Sequence, residues 1–336
     1  MREIFVLPDN RRARSGGNLY NRLLIAALRG EGLRVAAMTV DQALRHAATG
    51  RPARYFVDTL LMDVARLRAR AGPASQCFLL VHYFPSLMPG SARARAAGRR
   101  QEDAAFAAAD GFLATSRFTE EQLTARGVRG KPVMRVEPAP TLVLAPSPRT
   151  FATCRVLMVA NVTPGKGVLD LLQGLDRHLP ADCDFSLEIA GLLDHDRAYV
   201  ERCRRLAERS AALRGRVRWL GALGPAALRR TYARNAIFVS ASHIESFGMA
   251  IQEARCAGLY VLTLPGGNAA SHVTSGSCGE VAPTIDALAA RVATLAQDRA
   301  MRERLLRRVK AAPAPTWREA ARRFLAQLPA DGARTA

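Results

Sequence analysis

Short apolar runs without polar alternation recur along this chain, separated by longer stretches with apolar residues at helical spacing. In the first part, Ile4–Leu7, Leu33–Thr39, Cys77–His82 and Gly111–Thr115 read as strands. A helix is expected over Leu19–Leu28, ended by Gly30 and Gly32, and an alanine-rich helix precedes Gly111. Strands that are apolar on both faces belong in a parallel sheet covered by helices on either side. A proline-rich bridge, Pro138-Ala-Pro140 through Pro146-Ser-Pro148, interrupts the rhythm and reads as a linker. The alternation then restarts. Strands are expected at Val156–Ala160, Phe185–Ala190, Val217–Leu220, Ile237–Ser240 and Tyr260–Leu264. Helices are expected from Val168, over Arg197–Ala212, Ser246–Ala257, Ile285–Asp298 and Met301–Lys310, and, after Pro313-Ala-Pro315, over Trp317–Leu328.

The pattern predicts an α/β protein of two doubly wound, Rossmann-like domains. Their expected bounds are 1–145 and 146–312, with 313–330 as a terminal helix. Two such domains place the loops at their strands' carboxyl ends around a deep cleft, where ligands are expected. The length of 336 residues suits two domains, and 49% hydrophobic residues exclude global disorder. No apolar run approaches the roughly 20 residues of a spanning helix. Met1 to Pro8 carries no long apolar segment or small-residue cleavage site, so no signal peptide is expected. Six cysteines (Cys77, Cys154, Cys183, Cys203, Cys256 and Cys278) are scattered without CxxC or zinc spacing and read as reduced core thiols of a cytoplasmic protein.

The net charge of +20 points to an anionic partner: nucleic acid, an acidic membrane surface or a phosphorylated ligand. Against this stands coding bias. Of 49 basic residues only Lys131, Lys166 and Lys310 are lysine, as a GC-rich genome would give. Nucleic acid is disfavoured, because aromatics make up only 6% and no basic-aromatic interleaving occurs.

Four segments carry candidate chemistry. Glu245-Ser-Phe-Gly-Met-Ala-Ile-Gln-Glu253 follows the strand Ile237–Ser240. Ser246, Phe247 and Gly248 would open a helix whose unpaired N–H groups suit a diphosphate. Glu245 and Glu253 would accept hydrogen bonds from hydroxyls on either side of it; the plain alternative is a helix cap and a solvated helix residue. Next, Val159-Ala-Asn161-Val-Thr-Pro-Gly165-Lys166-Gly167 joins a strand to a helix, and Lys166 between glycines is a phosphate clamp. It lacks the P-loop spacing. Ser15-Gly16-Gly17-Asn18 is a glycine turn opening the first helix, and half such turns are purely structural. Finally, His82 ends an apolar strand, where a structural and a functional histidine are equally expected. Asp182-Cys-Asp184 and Asp194-His-Asp196 both read DxD, but Asp184 precedes a strand and Asp194 or Asp196 is placed to cap a helix, so no metal site is expected.

Together, Glu245…Glu253 as E-x7-E, Lys166-Gly167, Leu187-Glu-Ile-Ala-Gly191, Val217-Arg-Trp-Leu-Gly221 and the helix ending at Gly258 resemble family 4 of the retaining glycosyltransferases, which have the GT-B fold. The resemblance is strong over about 154–283. It extends to the first domain through Gly16-Gly17, His82 and Ala114-Thr-Ser116. It implies a nucleotide-sugar donor bound by the second domain. Lys166 would hold the diphosphate, Glu253 the ribose hydroxyls, and Glu245 with Ser246, Phe247 and Gly248 the transferred sugar and distal phosphate. His82 would contact the sugar near the reacting carbon, and Gly16 and Gly17 would let the first helix approach the phosphate or acceptor. The Trp317 helix resembles the segment that packs back on the first domain. Two departures stand out. Asn161 occupies the place of a usual arginine in the donor site, and Glu137-Pro-Ala-Pro140 replaces the usual Asn-Gly-Val-Asp. The implied reaction is a retaining, metal-independent transfer to a hydroxyl acceptor (glycan, glycolipid or small metabolite), with no cofactor beyond the co-substrate. A nucleotide-sugar epimerase and a non-catalytic basic surface-binding protein are the alternatives. Arg11, Arg12, Arg14, Arg93, Arg95, Arg99 and Arg100 would line the acceptor side, favouring an anionic acceptor or a peripheral position on the membrane's inner face.

Overall fold

The computed structural model describes residues 1–9, 15–144, 153–273 and 278–330. The chain forms two compact units, Met1–Ala139 with Pro315–Ala336, and Pro140–Ala314. The expected Pro146-Ser-Pro148 part of the linker and Arg11, Arg12 and Arg14 lie outside the described residues.

The first unit runs β1 (Arg2–Val6), α1 (Gly16–Gly30), β2 (Val35–Met38), α2 (Val40–Ala47), β3 (Ala53–Asp58), α3 (Val64–Arg70), β4 (Gln76–Val81), α4 (Ala92–Ala108), β5 (Gly111–Ala114), α5 (Arg117–Ala125) and β6 (Val133–Arg135). The second runs β7 (Cys154–Val159), α6 (Val168–His178), β8 (Phe185–Ala190), α7 (Arg197–Arg209), β9 (Val217–Gly221), α8 (Pro225–Arg234), β10 (Ile237–Ser240), α9 (Met249–Cys256), β11 (Tyr260–Thr263), β12 (Gly279–Val281), α10 (Ile285–Gln297) and α11 (Arg299–Arg308). The last helix, α12 (Trp317–Gln327), belongs to the first unit.

Each unit holds a six-stranded sheet whose paired strands run parallel. The orders are β2-β1-β3-β4-β5-β6 and β12-β11-β10-β7-β8-β9. These are doubly wound sheets whose strand order reverses beside the first strand of each unit, and the loops at the strands' carboxyl ends there are the natural ligand positions. In the first unit, side chains alternate between two cores. Tyr55 and Val57 of β3 face α2, α3 and α4, whereas Phe56 joins Phe5, Phe78, Tyr20 and Phe324 against α1 and α12. Burying each such large side chain stabilises by about 1.5–3 kcal/mol, so α12 is an integral layer of that unit.

The sequence pattern missed β3 because Arg54 interrupts its apolar run. That arginine is buried and donates to Glu3 Oε1 at 2.9 Å, to Gln76 Oε1 at 2.7 Å and to the Pro329 carbonyl at 2.7 Å. Its charge is satisfied by sequence-distant partners, which no local window can show. The short β6 and β12 were missed as well.

Candidate functional site

The second unit assembles the E-x7-E and Lys-Gly segments at the carboxyl ends of β7 and β10. After β7, Pro164–Lys166 makes a 3-10 turn and Gly167 turns left-handed, at φ 64°, to start α6. A Cβ on Gly167 would stand 2.2 Å from the Ala241 carbonyl oxygen, so only glycine lets this turn approach the end of β10. The His243 N–H donates to the Gly165 carbonyl and closes the contact. Lys166 is thereby brought to the following turn, and its Nζ donates to Glu245 Oε1 at 2.6 Å. Both side chains keep some exposure, 32% and 18%. Burial alone would raise the Glu245 carboxyl, but the Lys166 ammonium, with a further hydrogen bond from Ser242, holds it below the usual carboxylate range.

The expected helix over Ser246–Ala257 begins later. Gly248 is left-handed, at φ 93°, and α9 starts at Met249, so Ser246 and Phe247 belong to the turn before it. The reason is tertiary. The Phe247 carbonyl is held by Asn268 Nδ2 at 3.0 Å and by His272 Nε2 at 2.5 Å, which pulls the chain out of helical geometry. Burial lowers the His272 pKa, and because a carbonyl can only accept, Nε2 carries the proton in this contact. The loop Gly266-Gly267-Asn268 backs the turn: Glu245 N–H donates to Gly266, and Asn268 N–H to the Glu245 carbonyl. Among the described residues, no group accepts the Phe247 or Gly248 N–H. These amides remain available as donors in front of α9.

Glu253 lies inside α9 and is 4% exposed, so the solvated-helix alternative does not hold. Thr141 donates to its Oε1 from both backbone (2.9 Å) and hydroxyl, and the Tyr232 hydroxyl donates to its Oε2 at 3.0 Å. Burial raises its carboxyl despite these donors. Sequence reasoning missed Thr141 and Tyr232, and neither carries a local signal. Asn161 Oδ1 accepts the Leu192 N–H at 3.0 Å and ties down the loop after β8. Of the DxD aspartates, Asp196 caps α7 through the Tyr199 N–H. Among the described residues, no group of three or more His, Cys, Asp or Glu side chains could hold a metal ion.

In the first unit, Ser15 caps α1, and Gly16 and Gly17 form its first turn. A Cβ on Gly17 would meet the His82 ring at 3.2 Å, so the glycine is what seats this helix against the histidine. His82 follows β4, and its Nε2 lies 2.9 Å from Asn21 Oδ1 and 3.4 Å from Asp58 Oδ2. Burial lowers the His82 pKa and Asp58 opposes that shift only in part. Arg93, Arg95, Arg99 and Arg100 lie exposed on α4, where Arg99 pairs with Asp103. No helix among the described residues is long and apolar enough to cross a membrane.

Residues 153–311, almost all of the second unit, match the family model of glycosyl transferases group 1. No curated protein sequence matches the chain. Among solved structures, sucrose-phosphate synthase from Thermosynechococcus elongatus superposes with a TM-score of 0.74 at 18% identity, covering 97% of this chain and 96% of that one. Anabaena Alr3699/HepE in complex with UDP and glucose gives a TM-score of 0.70 at 16% identity over 98% and 100% of the two chains. The same protein in complex with UDP-glucose gives 0.68 at 17% identity over 98% and 100%. The chain therefore has the GT-B fold along nearly its whole length.

Proposed function

We propose that this protein is a retaining glycosyltransferase that moves a sugar from a nucleoside diphosphate sugar to a hydroxyl acceptor without a metal. The observation that carries this reading is the Lys166–Glu245 pair, brought together by the Gly167 turn, with Glu245 in the same turn as the unpaired Phe247 and Gly248 amides. The ammonium has three donors and Glu245 takes one, so two remain for a diphosphate. The match to glycosyl transferases group 1 and the UDP and UDP-glucose complexes of HepE support a nucleotide-sugar donor.

Breaking the anomeric bond puts negative charge on the leaving diphosphate and oxocarbenium character on the sugar. Lys166 and the two amides stabilise the first. Glu245, held ionised by Lys166, accepts hydroxyls of the transferred sugar. Glu253 takes the ribose hydroxyls, for which Thr141 must yield part of its hold. His82 contacts the sugar near the reacting carbon. Gly16, Gly17, Ser246 and Asn161 complete the donor and acceptor surroundings. The departing phosphate oxygen takes the acceptor's proton on the face it leaves, which gives retention. The exposed arginines of α4 favour an anionic acceptor or an anionic leaflet; each basic side chain near such a surface contributes about 1 kcal/mol.

The test is incubation of purified protein with a panel of nucleotide-sugars, with and without EDTA, following nucleoside diphosphate release and the anomer formed. Slow release that survives EDTA is expected. No release from any donor would overturn the proposal, and release that only Mg²⁺ or Mn²⁺ restores would overturn its metal independence. Binding to anionic vesicles should fall when Arg93, Arg95, Arg99 and Arg100 become Gln; unchanged binding would remove the leaflet from the reading.

A further inference from the structure

Three side chains brought together from three elements of the first unit form a buried polar chain. Asn21 sits on α1, Asp58 ends β3, and His82 follows β4. Asn21 and Asp58 are 1% and 0% exposed. Asp58 Oδ1 accepts the Leu60 N–H at 2.8 Å, and its Oδ2 accepts from Asn21 Nδ2 at 2.7 Å. The amide is thereby oriented: its NH₂ must face the carboxylate, so its Oδ1 faces His82 Nε2 at 2.9 Å. That nitrogen meets two acceptors, Asn21 Oδ1 and, at 3.4 Å, Asp58 Oδ2. A neutral imidazole has one N–H, and only a proton on Nε2 satisfies both. Backbone and packing fix the ring further. The His82 N–H donates to Thr59 Oγ1 at 3.1 Å, Gly17 lies against one ring face, and Tyr20 packs edge-on at 5.2 Å. No described residue hydrogen-bonds Nδ1, and the side chain keeps 10% exposure.

We infer that Asn21 and Asp58 are positioning residues that hold His82 as its Nε2–H tautomer, so that Nδ1 is a hydrogen-bond acceptor for a hydroxyl of the bound sugar. His82 then works by accepting from a hydroxyl rather than by donating to a phosphate. Asn21 carries the tautomer preference, and Asp58 carries the orientation of Asn21. The sugar hydroxyl as occupant rests on the glycosyltransferase reading; the tautomer lock does not.

The experiment is ¹⁵N NMR of the histidine rings in the intact protein, with His82 assigned by its loss in His82→Gln. A single ring state with protonated Nε2 and bare Nδ1 is expected. In Asn21→Leu, or in the milder Asp58→Asn should the first variant not fold, the two ring nitrogens should move towards averaged shifts. Donor turnover in these variants should fall about tenfold in kcat, the scale of one hydrogen bond, with nucleoside diphosphate affinity unchanged. A wild-type proton on Nδ1, or a ring state unaltered in both variants, would overturn the inference. Equal loss of nucleoside diphosphate affinity would also overturn it, by showing a structural role. If wild type turns over no nucleotide-sugar, the function reading fails while the ring spectrum still decides the lock.

Discussion

Glu245 and Glu253 open and close one motif, yet their surroundings push their carboxyls in opposite directions. Glu245 lies in a turn with an ammonium 2.6 Å away and titrates below the usual range. Glu253 lies inside α9 among neutral donors and titrates above it. A motif spacing therefore does not say which way a carboxylate's pKa moves; burial and the nearest partner decide. Nor does it place both on one helical face, because left-handed Gly248 separates the turn from the helix.

Removing the turn that supplies Lys166 should have the largest effect on this contrast. Gly167→Ala puts a Cβ against the Ala241 carbonyl and forces a left-handed alanine, costing roughly 3 kcal/mol. Urea unfolding should show the drop, and an unchanged midpoint would mean that the turn relaxes freely. Lys166→Ala should then weaken nucleoside diphosphate binding by about 1.5–3 kcal/mol, roughly 10- to 150-fold, with the fold kept. Calorimetry that finds the affinity unaltered would remove Lys166 from the donor site.

A smaller effect should separate the two glutamates. Glu253→Gln is expected to weaken nucleoside diphosphate binding by about 1 kcal/mol, whereas Glu245→Gln should spare it and lower turnover. Equal losses of affinity would erase the division of labour.

The smallest effect is in stability against pH, and its sign differs between the two. Glu245 has a folded-state pKa below its ordinary 4.5, so its contribution is present above pH 4.5 and is lost as pH falls through the folded value. Glu253 has a raised one, so its contribution is full below 4.5 and is lost as pH rises through the raised value. Lys166→Ala should flatten the acid limb by less than about 1 kcal/mol, given the partial exposure of the ion pair, and Glu253→Gln should flatten the other. Denaturant midpoints measured from pH 3 to 8 would show two changes of opposite slope, and slopes of the same sign would contradict the contrast.

The alternation of apolar runs and amphipathic stretches was enough for the two doubly wound sheets, because buried parallel strands leave an unbroken hydrophobic record. It failed at β3, where Arg54 is paired across the fold, and at the three-residue strands β6 and β12. Gly167 was legible as a permissive position, whereas Gly248 was expected inside the opening turn of a helix. That Gly167 seats Lys166 on Glu245, and that Gly248 delays α9, depends on Ala241, Asn268 and His272. His82 could be read from its place after an apolar strand. Its partners Asn21 and Asp58, like Thr141 and Tyr232 around Glu253, could not. Local sequence sets which backbone shapes are cheap and which faces are apolar. Hydrogen-bond partners and charge states arise between residues far apart in the chain, so only the tertiary structure decided them.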